Sequence, residues 1–290
     1  MKVSGNKIAD VIHFYHQHLN GIYDKEEIDE LAFLAFEKVL GYTKSEFLQR
    51  KEEHLNQSDL IIVYDIGKAL QTHKPIQYIL SEAWFYDLKF FVNEHVLIPR
   101  QETEELADLV INELKRVQGY TVNVLDIGTG SGCIPVSIKK NIPSVNMYAV
   151  DVSADALEVA KKNAEIHETQ IDFRQVDMLS AADIDNIKFD YIISNPPYIT
   201  KNESNTMAQN VLDFEPHLAL FVEDNDPLLF YRRIADFALK NLNESGQLFF
   251  EINQKYGTAV KKLLEEKGFD SVEIYKDING NERIVSCVKD

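Results

Sequence analysis

The sequence predicts an α/β domain built on a mostly parallel sheet and preceded by a small all-helical domain. Three observations carry this. After Gly119, short apolar segments alternate with amphipathic helical stretches, the pattern of a parallel sheet covered on both faces. Before Pro75, apolar residues recur instead at three- and four-residue spacing. Between the two, Ala83 to Ile98 is dominated by aromatic and β-branched residues (Trp84, Phe85, Tyr86, Phe90, Phe91, Val92, Val96), which predicts a β-hairpin connector.

In chain order, Ile8, Val11, Ile12, Tyr15 and Leu19 mark a first helix, and Ile28, Leu31, Ala35 and Val39 a second. Asp24, with Glu27 three residues on, reads as the start of the second, and Gly41 as its stop. Thr43-Lys-Ser-Glu46 is a capping box opening a third helix, and a fourth is predicted over Asp59–Thr72. A helix from about Glu102 to Val117 follows the connector. Strands are then expected at Val122–Ile127, Met147–Asp151, Ile171–Val176, Tyr191–Ser194, Gln247–Ile252, Val272–Tyr275 and Ile284–Val288, with helices at Ala154–His167, Leu228–Asn241 and Thr258–Lys267. The last two strands are separated by Asp277-Ile-Asn-Gly-Asn, too short for a crossover helix, so the final strand should run antiparallel. Thr200–Asp226 is polar and without clear period, and is read as a mobile loop over the site. The predicted domains are a helical docking domain over 1–80, a connector over 81–99 and an α/β domain over 100–290.

Composition narrows the function classes. The 290 residues are 45% apolar and carry 47 acidic against 30 basic side chains, a formal charge of −17. Residues 1–82 hold 9 basic and 13 acidic groups and the rest 21 and 34, so no basic module hides inside an acidic chain. A phosphate-gripping protein has the opposite sign, which disfavours nucleic acid as a direct partner. The longest apolar run, Leu31–Phe36, is far too short to cross a bilayer, and Asp10, His13 and His16 interrupt any apolar leader. Cys133 and Cys287 form no C-x-x-C, and a soluble cytoplasmic protein is expected. His13, His16 and His18 lie on one predicted helix without carboxylate or cysteine ligands beside them, and no metal is assigned.

Two motifs carry chemistry. Val124-Leu-Asp126-Ile-Gly128-Thr129-Gly130-Ser131-Gly132 follows the first strand of the α/β part and opens a helix. A dinucleotide loop would place glycine or alanine where Cys133 stands, so that pyrophosphate rests on the helix N-terminus. The G-x-G-x-G spacing, with an acid two residues ahead, suits a nucleoside without phosphates whose charged amino-acid tail lies over the loop. Asp151 ends the second strand, where a carboxylate can accept from both ribose hydroxyls; capping the next helix is the competing role, with Ser153 as the alternative cap. Asp177 follows the third strand and would meet an adenine amine, with Met178 as an apolar face or simply core.

The second motif is Ser194-Asn195-Pro196-Pro197-Tyr198, after the fourth strand. Two prolines fix the backbone and remove two donors, leaving carbonyl groups outward. Asn195 offers a side-chain carbonyl, Pro196 a backbone carbonyl and Tyr198 a flat face: two acceptors and a stacking wall for a planar –NH₂ group. A plain proline turn explains the prolines but not their flanking Asn and Tyr at the ligand-binding edge of the sheet. Arg100, beside Glu102, Glu104 and Glu105, is a candidate for orienting substrate or loop. Glu215 and Glu251 are open between structural and site roles.

The glycine loop with Asp151 resembles S-adenosylmethionine-dependent methyltransferases of the Rossmann-like class, and Asn-Pro-Pro-Tyr resembles their amino-methylating branch. Lys74-Pro-Ile-Gln-Tyr-Ile, Val96-Leu-Ile-Pro-Arg-Gln-Glu-Thr-Glu104, Phe214-Glu-Pro-His-Leu-Ala-Leu220 and Lys276-Asp-Ile-Asn-Gly-Asn-Glu-Arg-Ile284 are similar to peptide chain release factor glutamine methyltransferases. The resemblance spans essentially the whole chain. It implies a sheet of order 3-2-1-4-5-7-6 with the last strand antiparallel, S-adenosylmethionine as cofactor and release factors as protein substrate, methylated on the glutamine of Gly-Gly-Gln. It implies Asn195, Pro196 and Tyr198 as catalytic residues. Gly128, Thr129, Gly130, Ser131, Gly132, Asp151, Asp177, Met178 and Asn195 would hold the cofactor, and Asn195, Pro196, Pro197, Tyr198 and Arg100 the substrate. Gln101 stands where a proline is common, Met178 where an aromatic is frequent, and the glycines usual after Ala219-Leu220 are missing. Two rivals remain: a nucleic-acid adenine methyltransferase, which should show a basic groove, and a noncatalytic adaptor with a vestigial loop.

Overall fold

The structure is a computed structural model describing residues 5–117, 119–180 and 184–290. The chain forms two compact units: residues up to Glu82 together with Ala208–Phe214, and Ala83–Met207 together with Glu215–Asp290.

The first unit is helical: α1 (Ile8–Leu19), α2 (Lys25–Leu40), α3 (Lys44–Gln49), α4 (Gln57–Leu70) and α5 (Ile76–Leu80). Each apolar stripe turns inward, and Ile8, Val11, Tyr15, Leu19, Phe36, Val63 and Leu70 lose essentially all exposure. The buried Tyr15 hydroxyl donates to the Val63 carbonyl at 2.8 Å, so the ring is accommodated without an orphaned polar atom. Asp24 caps α2 through Glu27 N, Gly41 ends it at φ 69°, and Thr43 and Glu46 form the expected reciprocal box. Helix α4 starts two residues before Asp59, because Asn56 Oδ1 accepts from Asp59 N and so acts as the cap.

The second unit contains β1 (Ala83–Phe85), β2 (Leu88–Phe90), α6 (Gln101–Arg116), β3 (Asn123–Ile127), α7 (Cys133–Asn141), β4 (Asn146–Asp151), α8 (Ala154–Ile166), β5 (Asp172–Gln175), β6 (Phe189–Ser194) and β7 (Ile199–Thr200). A 3₁₀ turn at Lys201–Thr206 follows; then, after α9 (Gln209–Phe214) of the first unit, come α10 (His217–Leu220), β8 (Phe221–Val222), α11 (Leu229–Asn241), β9 (Leu242–Glu251), α12 (Gly257–Glu266), β10 (Phe269–Lys276) and β11 (Glu282–Lys289). Seven strands form one sheet in the order β5-β4-β3-β6-β9-β11-β10, which is 3-2-1-4-5-7-6 in order of appearance. Only β11 runs antiparallel to its neighbours, as its short connection to β10 requires.

Alternation along each strand divides the core. Leu125, Ile127, Ile192, Leu248 and Phe250 pack on one face with Tyr231, Ile234 and Phe237 of α11 and with Val260 and Leu264 of α12. Val124, Tyr191, Ile193 and Phe249 pack on the other with Leu106 and Val110 of α6 and Val136 and Ile138 of α7.

Two sequence expectations change. The connector pairs only over Ala83–Phe85 and Leu88–Phe90, around a two-residue turn in which Tyr86 and Asp87 have φ 50° and 60°. Beyond Phe90 the chain is held by a side chain instead: Phe91 N donates to Asn163 Oδ1 at 2.7 Å, and Asn163 Nδ2 donates to Phe91 O at 2.9 Å. Thr200–Asp226 is not a structureless loop, since it contains the 3₁₀ turn, α9, α10 and β8, and β8 pairs in parallel with β7. Polar short elements of this size show no period to read.

The glycines after β3 separate two demands, and their substitution should distinguish them. A Cβ on Gly132 (φ 77°) would stand 3.1 Å from the Ala160 Cβ of α8, whereas one on Gly130 (φ 53°) would meet nothing within 4 Å. Gly130→Ala should therefore lose about 1 kcal/mol of stability, from the left-handed backbone alone. Gly132→Ala adds overpacking against a helix and should lose about 2–4 kcal/mol. Urea unfolding of both variants checks this; equal losses would mean that the approach to α8 is not limiting.

Candidate functional site

Strands β3, β4 and β6 are parallel, so their carboxyl ends lie at one edge, and the segments following them meet there. After β3, Gly128, Gly130 and Gly132 all take positive φ. Gly128 N and Thr129 N both donate to Val150 O, at 2.9 and 3.0 Å, and tie the loop onto β4. Asn163 reaches the loop as well, donating to Ser131 O at 2.9 Å.

Asp151 braces the same loop. Its Oδ2 accepts from Gly130 N and its Oδ1 from Ser153 N, both at 2.9 Å. Each oxygen keeps a second lone pair for a ligand. Burial raises its pKa, and the N–H groups of Ser153 and Gly130 oppose the rise. Ser153, not Asp151, caps α8, with its Oγ accepting from Ala156 N. Asp126 lies fully buried below the loop, neither carboxylate oxygen has a hydrogen-bond partner, and the Thr129 hydroxyl lacks one too. Burial pushes the Asp126 pKa up to about 7; the nearby Thr129 hydroxyl, although not in hydrogen-bond geometry, opposes the rise, and the charge of Asp151 adds to it.

A cavity of about 250 Å³ opens over these groups. Gly128, Thr129, Gly130, Ser131, Asp151, Asp177, Met178, Asn195, Pro196, Pro197 and Arg100 all line it, beside Val152, Val176, Leu218 and Phe230. Gly132 does not, because its place is against α8. Met178 is shared between the cavity and the core. Asp177 Oδ1 accepts from Leu179 N at 2.9 Å, which fixes the turn after β5. Burial raises the Cys133 thiol to about 12, so it holds its proton at neutral pH.

Tyr198, expected as a stacking wall, is not among the residues that line the cavity. The ring packs against the core and its hydroxyl donates to Glu251 Oε1 at 3.1 Å. Glu251, at the end of β9, is 1% exposed and needs donors. The Thr103 hydroxyl of α6 supplies the other, donating to Oε2 at 2.6 Å. Asn195 Nδ2 in turn donates to Thr103 Oγ1 at 3.2 Å. Burial raises the Glu251 pKa, while Thr103, Tyr198 and the charge of Arg283 draw it down. Burial and the Glu251 charge raise that of Tyr198.

Arg100, read as orienting substrate or loop, is paired within the 200–226 stretch. Its Nη2 donates to Glu215 Oε1 at 2.5 Å, and Glu215 Oε2 accepts from Ile98 N at 3.3 Å. The Glu215 side chain is 1% exposed, so it clamps the Ile98–Arg100 segment to the chain just before α10. Thr103 and Asn163 were the residues that sequence reasoning missed. Thr103 carried a faint signal, as an uncharged hydroxyl between Glu102 and Glu104 in the first turn of α6; Asn163, mid-helix, carried none.

In the helical unit, His16 pairs with Asp29 and His18 with the Phe14 carbonyl. No helix among the described residues is long and apolar enough to cross a membrane.

Residues 91–216 match the family model described as methyltransferase small domain. A release factor glutamine methyltransferase from Flavobacterium psychrophilum is 43% identical over 270 residues, covering 93% of this chain and 94% of that protein. One from Bacteroides thetaiotaomicron is 42% identical over 274 residues, covering 94% and 97%. In structure the chain is similar to a methyltransferase from Pyrococcus furiosus, with a TM-score of 0.50 and 16% identity over 70% of this chain and 90% of that one, a likeness of fold alone. At 43% and 42% identity over more than nine-tenths of the chain, the chain belongs to the family of release factor glutamine methyltransferases.

Proposed function

We propose that this chain transfers a methyl group from S-adenosylmethionine to the side-chain amide nitrogen of the glutamine in the Gly-Gly-Gln motif of peptide chain release factors. The observation that carries the reading is that Asn195 and Pro196 line the same cavity as Gly128, Gly130 and Asp151. An amine receptor and a nucleoside loop thus share one space.

The cavity fits the cofactor on its own terms. Asp151 retains acceptor capacity for ribose hydroxyls, and Asp126 is an orphaned buried carboxylate under the loop that a nearby cationic group would relieve. Apolar Val152, Val176 and Met178 suit a purine face. When bound, S-adenosylmethionine supplies an activated methyl on a sulfonium.

The chain's residues then have one task, which is to present a poor nucleophile. An amide nitrogen shares its lone pair with the carbonyl. Two acceptors on its hydrogens, Asn195 Oδ1 and Pro196 O, orient it in line and favour the pyramidal nitrogen of the transition state. Transfer from a sulfonium to that nitrogen, held by Asn195 and Pro196, would remove the sulfonium's charge, and the methylated nitrogen would give its proton to solvent. A water-poor cavity favours this loss of charge. No general base is required before the methyl arrives.

The charge of −17 favours a protein partner with basic faces over nucleic acid. Residues 1–80 are proposed to dock that partner, in the cytoplasm. The nucleic-acid alternative shares the amine receptor, and labelled S-adenosylmethionine offered with release factor, DNA or RNA separates the two. Label is expected on release factor alone; label on nucleic acid but not on release factor would sink the proposal. Asn195→Ala should lower turnover at least about 100-fold while cofactor binding survives, and near-normal turnover would remove the amide receptor.

Asp126 supplies a pH dependence. Its folded pKa of about 7 exceeds the ordinary value of 3.8, so the folded state binds the proton more tightly than the unfolded chain. Its effect is therefore absent below about pH 4 and weakens the fold progressively as pH rises through about 7. The melting temperature of the ligand-free protein should fall from about pH 5 to about pH 8 by more than that of Asp126→Asn. Parallel profiles would show that the buried carboxylate is not the group responsible.

A further inference from the structure

The Asn195 side chain can serve the proposed reaction in one orientation only. An amide is nearly symmetric in shape, and its two ends differ only in hydrogen bonding: the oxygen accepts and the nitrogen donates. Turned by half a rotation, Asn195 would present –NH₂ to a substrate –NH₂, and two donors would face each other. Something must therefore set which end faces the cavity.

We infer that Glu251, acting through the Thr103 hydroxyl, fixes the Asn195 amide with its oxygen toward the substrate. An ionised carboxylate accepts only. Thr103 lies 2.6 Å from Glu251 Oε2, so its single proton is committed there. The oxygen of Thr103 is left with lone pairs and can only accept. Asn195 meets it at 3.2 Å and must do so with Nδ2. Oδ1 is turned to the opposite side, and no hydrogen bond from the described residues engages it. The polarity of the chain from Glu251 to Thr103 to Asn195 is set at its buried end.

Further donors and one positive charge stand around that end. Tyr198 donates to the second oxygen of Glu251 at 3.1 Å, and the Tyr231 hydroxyl donates to the Glu251 backbone carbonyl at 3.2 Å. Arg283 of β11 adds a favourable charge, itself held by Asp277 through Nε at 3.3 Å and Nη2 at 3.2 Å. Thr103 is 4% exposed and lies in the first turn of α6, so the hydroxyl is delivered by a packed helix rather than a free loop. Glu251 and Thr103 are positioning residues, and Tyr198 belongs with them rather than with the cavity wall. This assignment rests on the proposed use of Asn195 as an acceptor, but its structural content does not.

The test replaces the hydroxyl and keeps the volume. In Thr103→Val the Asn195 amide loses its acceptor and both rotations become available; in Thr103→Ser the hydroxyl remains. With release factor as substrate, Thr103→Val should lower kcat at least about tenfold at unchanged affinity for S-adenosylmethionine, and Thr103→Ser should recover most of that loss. Glu251→Gln should lower kcat in the parent but much less in Thr103→Val, because the two act in series. A second readout needs no substrate: in ¹⁵N-labelled protein the Asn195 side-chain –NH₂ should exchange with solvent several-fold faster in Thr103→Val than in the parent or Thr103→Ser. If the parent transfers nothing to release factor, the proposed function fails, while the exchange measurement still decides the relay. Unchanged Asn195 exchange in Thr103→Val, or a Thr103→Ser as impaired as Thr103→Val, overturns it.

Discussion

The α/β unit is organised around one buried carboxylate. Glu251 ends a central strand at 1% exposure, where an ionised group without partners would be too costly to keep. Its requirement for donors decides what can stand around it. Thr103 and Tyr198 reach it from the start of α6 and from the turn after β6, positions that are 148 and 53 residues away in sequence. Two separate connections are thereby held against the end of β9, and both carry cavity residues: Arg100 precedes one, and Asn195 and Pro196 lie in the other. Geometry that a set of loops would leave loose is set by the need to satisfy a charge.

The clamp at Glu215 repeats the principle nearby. Its side chain, also almost wholly buried, accepts from the Ile98 backbone and from Arg100. A family resemblance assigned Arg100 to the substrate, yet the guanidinium is first of all the neutralising partner of Glu215. Both roles are compatible with a side chain that is 36% exposed and lines the cavity, since a planar fork has five N–H groups and Glu215 uses few of them.

What the sequence disclosed and what it concealed divide along physical lines. Strands buried on both faces and bounded by glycine or acid announce themselves locally, and β3, β4, β6 and β9 lie where Val122–Ile127, Met147–Asp151, Tyr191–Ser194 and Gln247–Ile252 were expected. Loops that need positive φ were legible as glycines, and Asn-Pro-Pro-Tyr as a rigid rim. Partners were not legible. Asn163 stands in a helix with no local reason to be polar, and its meaning lies in Phe91 and Ser131, 72 and 32 residues away. Thr103 was hidden among charged neighbours of α6, and Tyr198 was assigned by its ring when its hydroxyl was the constrained part. The Tyr86-Asp87 turn lacks the glycine that usually marks such a hairpin, and the short elements of 200–226 have no period.

The electrostatics of the glycine loop extend the argument from geometry to ligand class. A helix N-terminus behind a glycine turn ordinarily favours phosphate. Here the loop lies over Asp126, unpartnered and fully buried, and is braced by Asp151, whose two oxygens already hold the Gly130 and Ser153 N–H groups. A pyrophosphate in the cavity would face the Asp151 carboxylate, with a second acid, Asp126, buried beneath the loop. A ligand carrying positive charge and ribose hydroxyls meets the opposite situation: its cation favours ionisation of Asp126, and its hydroxyls find the spare lone pairs of Asp151. On the proposed reading, sign as well as shape would then disfavour phosphate at this loop, through Asp151 at the cavity and Asp126 buried beneath it.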